Sequence, residues 1–177
     1  MPSIDRSTSA LLLVDFQSRL MPAIDEASAV LANARRLVDA AQLLGVPLLY
    51  TEQNAKSLGP TVAELHTGAA ETAHKMAFDA CREPRFLDRL PAHRDLVVGG
   101  CETHVCVLQT VLGLLRAGRR VFLVRDAVGS RRSESKETAI ARMEKNGAEV
   151  VTTEMVLFEW LGTAADPRLR NVLALVK

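Results

Sequence analysis

Short unbroken apolar runs alternate along this chain with longer stretches whose apolar residues recur three and four positions apart. Ala10-Leu11-Leu12-Leu13-Val14 is one such run, closed by Asp15, and an apolar run of that length suits a central strand covered on both faces. From Glu26 the spacing changes: Val30, Leu31, Ala34, Leu37, Val38, Ala41 and Leu44 form one stripe of a helix that Gly45 is placed to end. The alternation then repeats. Val46 to Thr51 is expected as a second strand, Glu52 to Gly59 as a loop before Pro60, Thr61 to Leu65 as a short helix, and His74 to Phe78 as a third strand. A helix from Glu83 to Leu90 should begin at Pro84, and a fourth strand should run from Asp95 to Gly100.

Thr103 to Ala117 carries Val105, Val107, Leu108, Val111, Leu112, Leu114 and Leu115, so a helix there is apolar over most of its circumference and must be buried, in the domain or in a subunit contact. Arg120 to Arg125 reads as a fifth strand with Asp126 at its end. Ser133 is placed to cap a helix that stops at Gly147, and Glu149 to Thr153 is expected as the last strand. Two short helices follow, one from Met155 through Trp160 and one from beyond Pro167 to Val176. Strand and helix in turn predict an α/β fold: a doubly wound, mostly parallel six-stranded sheet with helices on both faces, in three α/β/α layers. At 177 residues and 48% hydrophobic, residues 1–177 are expected to form one domain.

Charge narrows the partners. A formal net charge of +1 with acids and bases interspersed, and only 4% aromatic residues, offers neither the basic footprint nor the stacking platform of a nucleic-acid binder. No apolar run approaches a membrane span, and three cysteines without a disulfide spacing point to a reducing cytoplasm. The expected partner is a small molecule, with assembly into a homo-oligomer suggested by the apolar helix and by Leu157, Phe158 and Trp160.

A parallel sheet of this kind opens its cleft at the strands' carboxyl ends. The residues expected there are Asp15, Thr51, Glu52, Lys75, the loop from Cys101 to Cys106, and Asp126. That set holds acids, a base and a thiol: a carboxylate can take the proton of a thiol, an ammonium can hold both in place, and helix-start N–H groups can stabilise an oxyanion. Cys106 falls in the first turn of its helix, where the dipole and free N–H groups favour thiolate over thiol. The structural alternatives are a buried core cysteine, a strand-end aspartate that caps a loop, and a surface lysine. A redox pair of Cys101 and Cys106 lacks the C-x-x-C spacing.

Val14-Asp15-Phe16-Gln17, Lys75-Met76-Ala77-Phe78 and Gly99-Gly100-Cys101-Glu102-Thr103-His104-Val105-Cys106, in that order, resemble the isochorismatase-like cysteine hydrolase superfamily. The likeness continues through Asp126-Ala127-Val128 and Thr152 to Phe158. It implies a triad of Asp15, Lys75 and Cys106, a cis peptide just before Glu102, and an oxyanion held by the backbone N–H groups of Glu102 and Cys106. Phe16, Gln17, Gln53, Phe78 and Cys101 are the expected pocket residues. The nicotinamidase branch carries an Asp-x-His metal site after its second strand; this chain has Thr51-Glu52-Gln53-Asn54 there, and none of its four histidines is paired at ligand spacing. No metal and no cofactor is therefore expected. Isochorismatases that cleave a vinyl ether need no cysteine nucleophile, so keeping Cys106 points to acyl chemistry on a small amide or related compound. The alternatives are a catalytically silent binding or assembly module of the same fold and a vinyl-ether or ester hydrolase.

Overall fold

The computed structural model describes residues 3–66 and 70–177. Among these, six parallel strands form one sheet in the order β3-β2-β1-β4-β5-β6, with β1 at Ser9–Val14, β2 at Leu48–Gln53, β3 at Glu71–Lys75, β4 at Asp95–Cys101, β5 at Val121–Gly129 and β6 at Glu149–Val151. Period-two alternation divides the core. Leu11 and Leu13, with Val97, Phe122 and Val124, pack on one face against α1 (Ala27–Leu44); Ala10, Leu12 and Val14, with Leu96 and Val98, pack on the other. Both faces are covered, which is why Ala10 to Val14, Leu96 to Val98 and Val121 to Val124 carry no polar interruption.

The second face is covered by α4 (Leu108–Arg116) and α5 (Ser133–Lys145), through Val111, Leu114, Ile140 and Met143. On the α1 side lie α6 (Thr153–Leu161) and α7 (Leu169–Val176), where Trp160 is buried and donates its indole N–H to Ser9 Oγ at 2.9 Å. Two short helices, α2 (Ala55–Leu58) and α3 (Phe86–Arg89), lie in the connections after β2 and β3.

Several boundaries differ from the sequence reading, each for a local reason. The second strand runs on through Gln53 and the expected loop contains α2, because Gln17 accepts from the Gln53 N–H and donates to the carbonyls of Gln53 and Gly59. The third strand ends at Lys75, since the N–H groups of Met76 and Ala77 turn away to Glu83 Oε1, at 2.8 Å each. The helix expected from Glu83 is broken into a 3-10 turn at Ala80–Arg82 and α3, because Arg85 adopts a left-handed φ of 62°. The fifth strand extends to Gly129 across an irregularity in its pairing with β4, so Asp126 is not at its end. Arg132 rather than Ser133 precedes α5, without a capping side chain, and Thr152 caps α6 instead of closing the last strand.

In this order the connection reverses between β1 and β4, and the crevice at that switch point is where such sheets bind ligands. Two features keep it narrow. Gly100 sits at φ 151°, and a Cβ there would collide with the Val14 carbonyl oxygen and come within 2.7 Å of Val14 Cβ. Asp15, the residue after β1, has a left-handed φ of 54°, which turns the chain out of the sheet at the crevice.

Candidate active site

Four strand ends deliver the polar groups that converge on this crevice. Asp15 follows β1 and is completely buried; Thr51 on β2 donates its hydroxyl to Asp15 Oδ1 at 2.6 Å. Lys75, the last residue of β3, has its side chain only 1% exposed and donates from Nζ to Asp15 Oδ2 at 2.7 Å and to Gln53 Oε1 at 2.8 Å. Beyond β4 the Cys101–Glu102 peptide is cis, and Thr103–Val107 then form a single π-turn that precedes α4 and carries Cys106. The Cys106 thiol, on a residue 6% exposed, lies near enough to both the Asp15 carboxylate and the Lys75 ammonium for their charges to act on it. Asp15, Lys75 and Cys106, distant in sequence, are thus one contiguous group.

The electrostatics of the thiol run against the local expectation. Burial pushes the Cys106 thiol up to about 12, the Asp15 carboxylate pushes it further in the same direction, and the Lys75 ammonium opposes them. The resting group is the thiol, not the thiolate that a helix start favours. Its reaction with iodoacetamide is accordingly expected to keep rising with pH well above neutrality. Asp15→Asn, by removing a negative charge, should move that profile to lower pH, and Lys75→Met should move it to higher pH. Peptide mass spectrometry after timed alkylation reads the shift; a parent profile centred below the roughly 8.5 of a free thiol would contradict it.

The residues expected to line a pocket divide sharply. Phe16 is buried in the core on the α1 side, and Cys101 lies in the same cluster, fully buried, with burial pushing its thiol up. Neither reaches an open cavity. Gln17 is completely buried and spends its amide on β2 and Gly59, while Gln53 gives its oxygen to Lys75 and its nitrogen to the Met76 carbonyl. These two glutamines position the site. Phe78 alone of the five is open, at 51% exposure, beside Met76 at 67%.

Glu52 and Asp126, also expected at the cleft, are occupied elsewhere. Glu52 Oε1 accepts from both the N–H and the hydroxyl of Thr61, and its Oε2 lies 3.3 Å from His74 Nδ1. Asp126 Oδ1 accepts from the N–H and hydroxyl of Thr153 and so fixes the start of α6. Among the described residues no group of three or more His, Cys, Asp and Glu side chains gathers as a metal-ligand set.

Thr51 was expected at the cleft and Gln53 in the pocket, but their tasks of holding Asp15 and Lys75 depend on strand order and were not read. One contribution escaped the sequence reading. It is Arg131, whose Nε donates to Glu102 Oε1 at 2.7 Å across 29 residues of sequence, a pairing that no local pattern announces. The Glu102 N–H itself has no protein acceptor among the described residues.

Comparison with known proteins gives the family and the fold. The isochorismatase domain matches residues 9–155. Isochorismatase domain-containing protein 1 of Salmo salar is 34% identical over 174 residues, 97% of this chain and 62% of the relative, so the chain spans about three fifths of that protein's length. The MAR1 ribonuclease of Caenorhabditis elegans superposes with a TM-score of 0.93 at 34% identity, over 98% of this chain and 92% of that one. The YcaC protein of Escherichia coli, described as an octameric hydrolase of unknown specificity, superposes with a TM-score of 0.88 at 27% identity, over 99% and 88%. No helix among the described residues is long and apolar enough to cross a membrane.

Proposed function

This chain belongs to the isochorismatase domain family of hydrolases, and from that premise we propose that it is a metal-independent cysteine hydrolase of a small amide or related acyl compound, with Cys106 as nucleophile. The observation that carries this reading is the buried Asp15–Lys75 ion pair, both members of which act electrostatically on the Cys106 thiol. A buried ion pair is weak as a stabilising device, because the desolvation cost of two charges offsets most of their attraction. Its placement against a thiol at a ligand-binding crevice gives it a chemical use.

The reaction begins with Asp15 taking the thiol proton as the sulfur attacks the substrate carbonyl carbon. Burial and the Asp15 charge raise the thiol's pKa, so the proton must pass to a base as the sulfur attacks. The C=O π bond opens to an oxyanion, received by the N–H groups of Glu102 and Cys106. Re-formation of the carbonyl breaks the C–N bond, and the leaving nitrogen takes its proton from Asp15. A thioester on Cys106 remains. Water, giving its proton to Asp15, attacks that thioester; collapse breaks the C–S bond, and the sulfur recovers the proton as the acid leaves. Lys75 keeps its charge throughout, holding Asp15 in place and balancing whichever neighbour is anionic.

The ribonuclease name of the Caenorhabditis neighbour belongs to that protein; a phosphodiester has no acyl carbon for a thiol to attack, and acyl transfer is the chemistry this constellation fits. By analogy with the octameric neighbour, a homo-oligomer is the proposed assembly. A panel of small amides, ureas and esters, followed by release of ammonia, amine or acid, tests the reading. Turnover of at least one member is expected, with a chelator leaving the rate unchanged. Turnover abolished by the chelator and restored by zinc would overturn it.

A further inference from the structure

Beside the π-turn that carries Cys106 lies an open basin of about 490 Å³ lined by His104, Arg131, Arg132 and Ser135. Its lining has no carboxylate. Arg131 is held in place by Glu102, which accepts from its Nε at 2.7 Å and from its backbone N–H at 3.4 Å. His104 Nδ1 is fixed 3.0 Å from Ser130 Oγ. The Arg132 guanidinium, by contrast, is exposed and has no ion-pair or hydrogen-bond partner among the described residues. Lys136, one turn further along α5, is likewise without a side-chain partner among the described residues.

Among the described residues, eight of the seventeen arginines are ion-paired with carboxylates, Arg131 among them through Glu102, whereas Arg132 is not. A positioned guanidinium next to an unpaired one, on a concave surface within the size range of small-ligand pockets, is an arrangement that recognises an anionic group by charge-assisted and bidentate hydrogen bonds. The same turn supplies His104 to the basin and Cys106 to the crevice, and Glu102 links them: its backbone stands at the proposed oxyanion position while its carboxylate fixes Arg131.

We propose that this basin is an anion-binding subsite, and that the compound attacked by Cys106 carries a carboxylate or phosphoryl group which Arg132 and Arg131 hold. The inference rests on the hydrolase reading above and names its substrate class. It accounts for a basic concavity at the catalytic turn of a chain whose net charge is only +1.

The test is protection of Cys106 in the intact protein against iodoacetamide at mildly alkaline pH, using succinate, inorganic phosphate and the neutral analogue succinamide. Succinate or phosphate should slow capture of Cys106 saturably, and succinamide should do so far less; whichever anion protects at lower concentration identifies the group. Arg132→Gln should raise the half-protecting concentration roughly 10- to 100-fold, the range for losing one hydrogen bond to a charged group. Lys145→Gln, at the far end of α5, should leave it unchanged. Absence of saturable protection, or equal protection of the parent and Arg132→Gln, would overturn the subsite. Failure of iodoacetamide to modify Cys106 in the parent at any pH would instead strike at the hydrolase reading, so the two failures are distinct.

Discussion

Cys106→Ser is expected to lower turnover on the order of 10⁴-fold or more, as loss of a nucleophile does in hydrolases whose groups act as a unit. The substitution replaces sulfur by oxygen at a residue 6% exposed, so it removes little volume and leaves the Asp15–Lys75 pair intact. In the proposed mechanism Asp15 takes a proton from a thiol; a serine hydroxyl is a weaker acid, and the same carboxylate would deprotonate it far less readily. The melting temperature should stay within a few degrees of the parent. Cys101→Ser supplies the comparison: Cys101 packs in the core on the α1 side, and its loss should affect stability more than chemistry. Steady-state kinetics on a turned-over amide, with thermal unfolding of both variants, checks this, and equal loss of activity in the two would contradict the assignment.

Lys75→Met should be the most destabilising single change at the site. It keeps most of the stem but strips Asp15, completely buried, of its counter-charge, leaving Thr51 as the remaining side-chain donor to its carboxylate. Removing one partner of a buried ion pair costs about 3–5 kcal/mol, because an uncompensated charge stays in the interior. Gln53 Oε1 loses its donor in the same step. Lys75→Met/Asp15→Asn, with both charges gone, should recover much of the stability while remaining inactive. Urea denaturation of the two single variants and the double variant closes the cycle. Additive losses in the double variant would show that the pair is not coupled, and would remove the lysine from the proposed triad.

What the sequence made legible, and what it did not, follows from the range of the interactions. The run Ala10 to Val14 announces a strand covered on both faces and places Asp15 at its end, and the same reasoning places Lys75 and the Cys101–Cys106 loop at one edge of a parallel sheet. Phe16 was misplaced because its direction depends on the left-handed turn at Asp15, which sends its ring into the core. Gln17 and Gln53 look like pocket amides in sequence, yet the fold spends the Gln17 amide on the backbone of Gln53 and Gly59 and the Gln53 amide on Lys75 and the Met76 carbonyl. The state of the Cys106 thiol was inverted for a similar reason. The helix start is a local feature, whereas the burial that keeps the proton on sulfur comes from packing against strands far away in sequence.

The geometry also suits the proposed roles of Cys106, Lys75 and Asp15. Each charged or chargeable group has a fixed neighbour: Thr51 and Lys75 for Asp15, Gln53 and Asp15 for Lys75, and both members of the pair for the thiol. Little reorganisation is needed when a proton moves between groups held this way, and preorganisation of this kind supplies much of an enzyme's rate enhancement.

The most direct measurement of the central claim is the mass of the protein, acid-quenched during turnover of an amide substrate and mapped by peptide. The account predicts an acyl adduct on Cys106, cleaved by hydroxylamine as a thioester is, and absent from Cys106→Ser. Turnover with no adduct on Cys106, undiminished in Cys106→Ser, or an acyl group carried instead by Cys81 or Cys101, would contradict it.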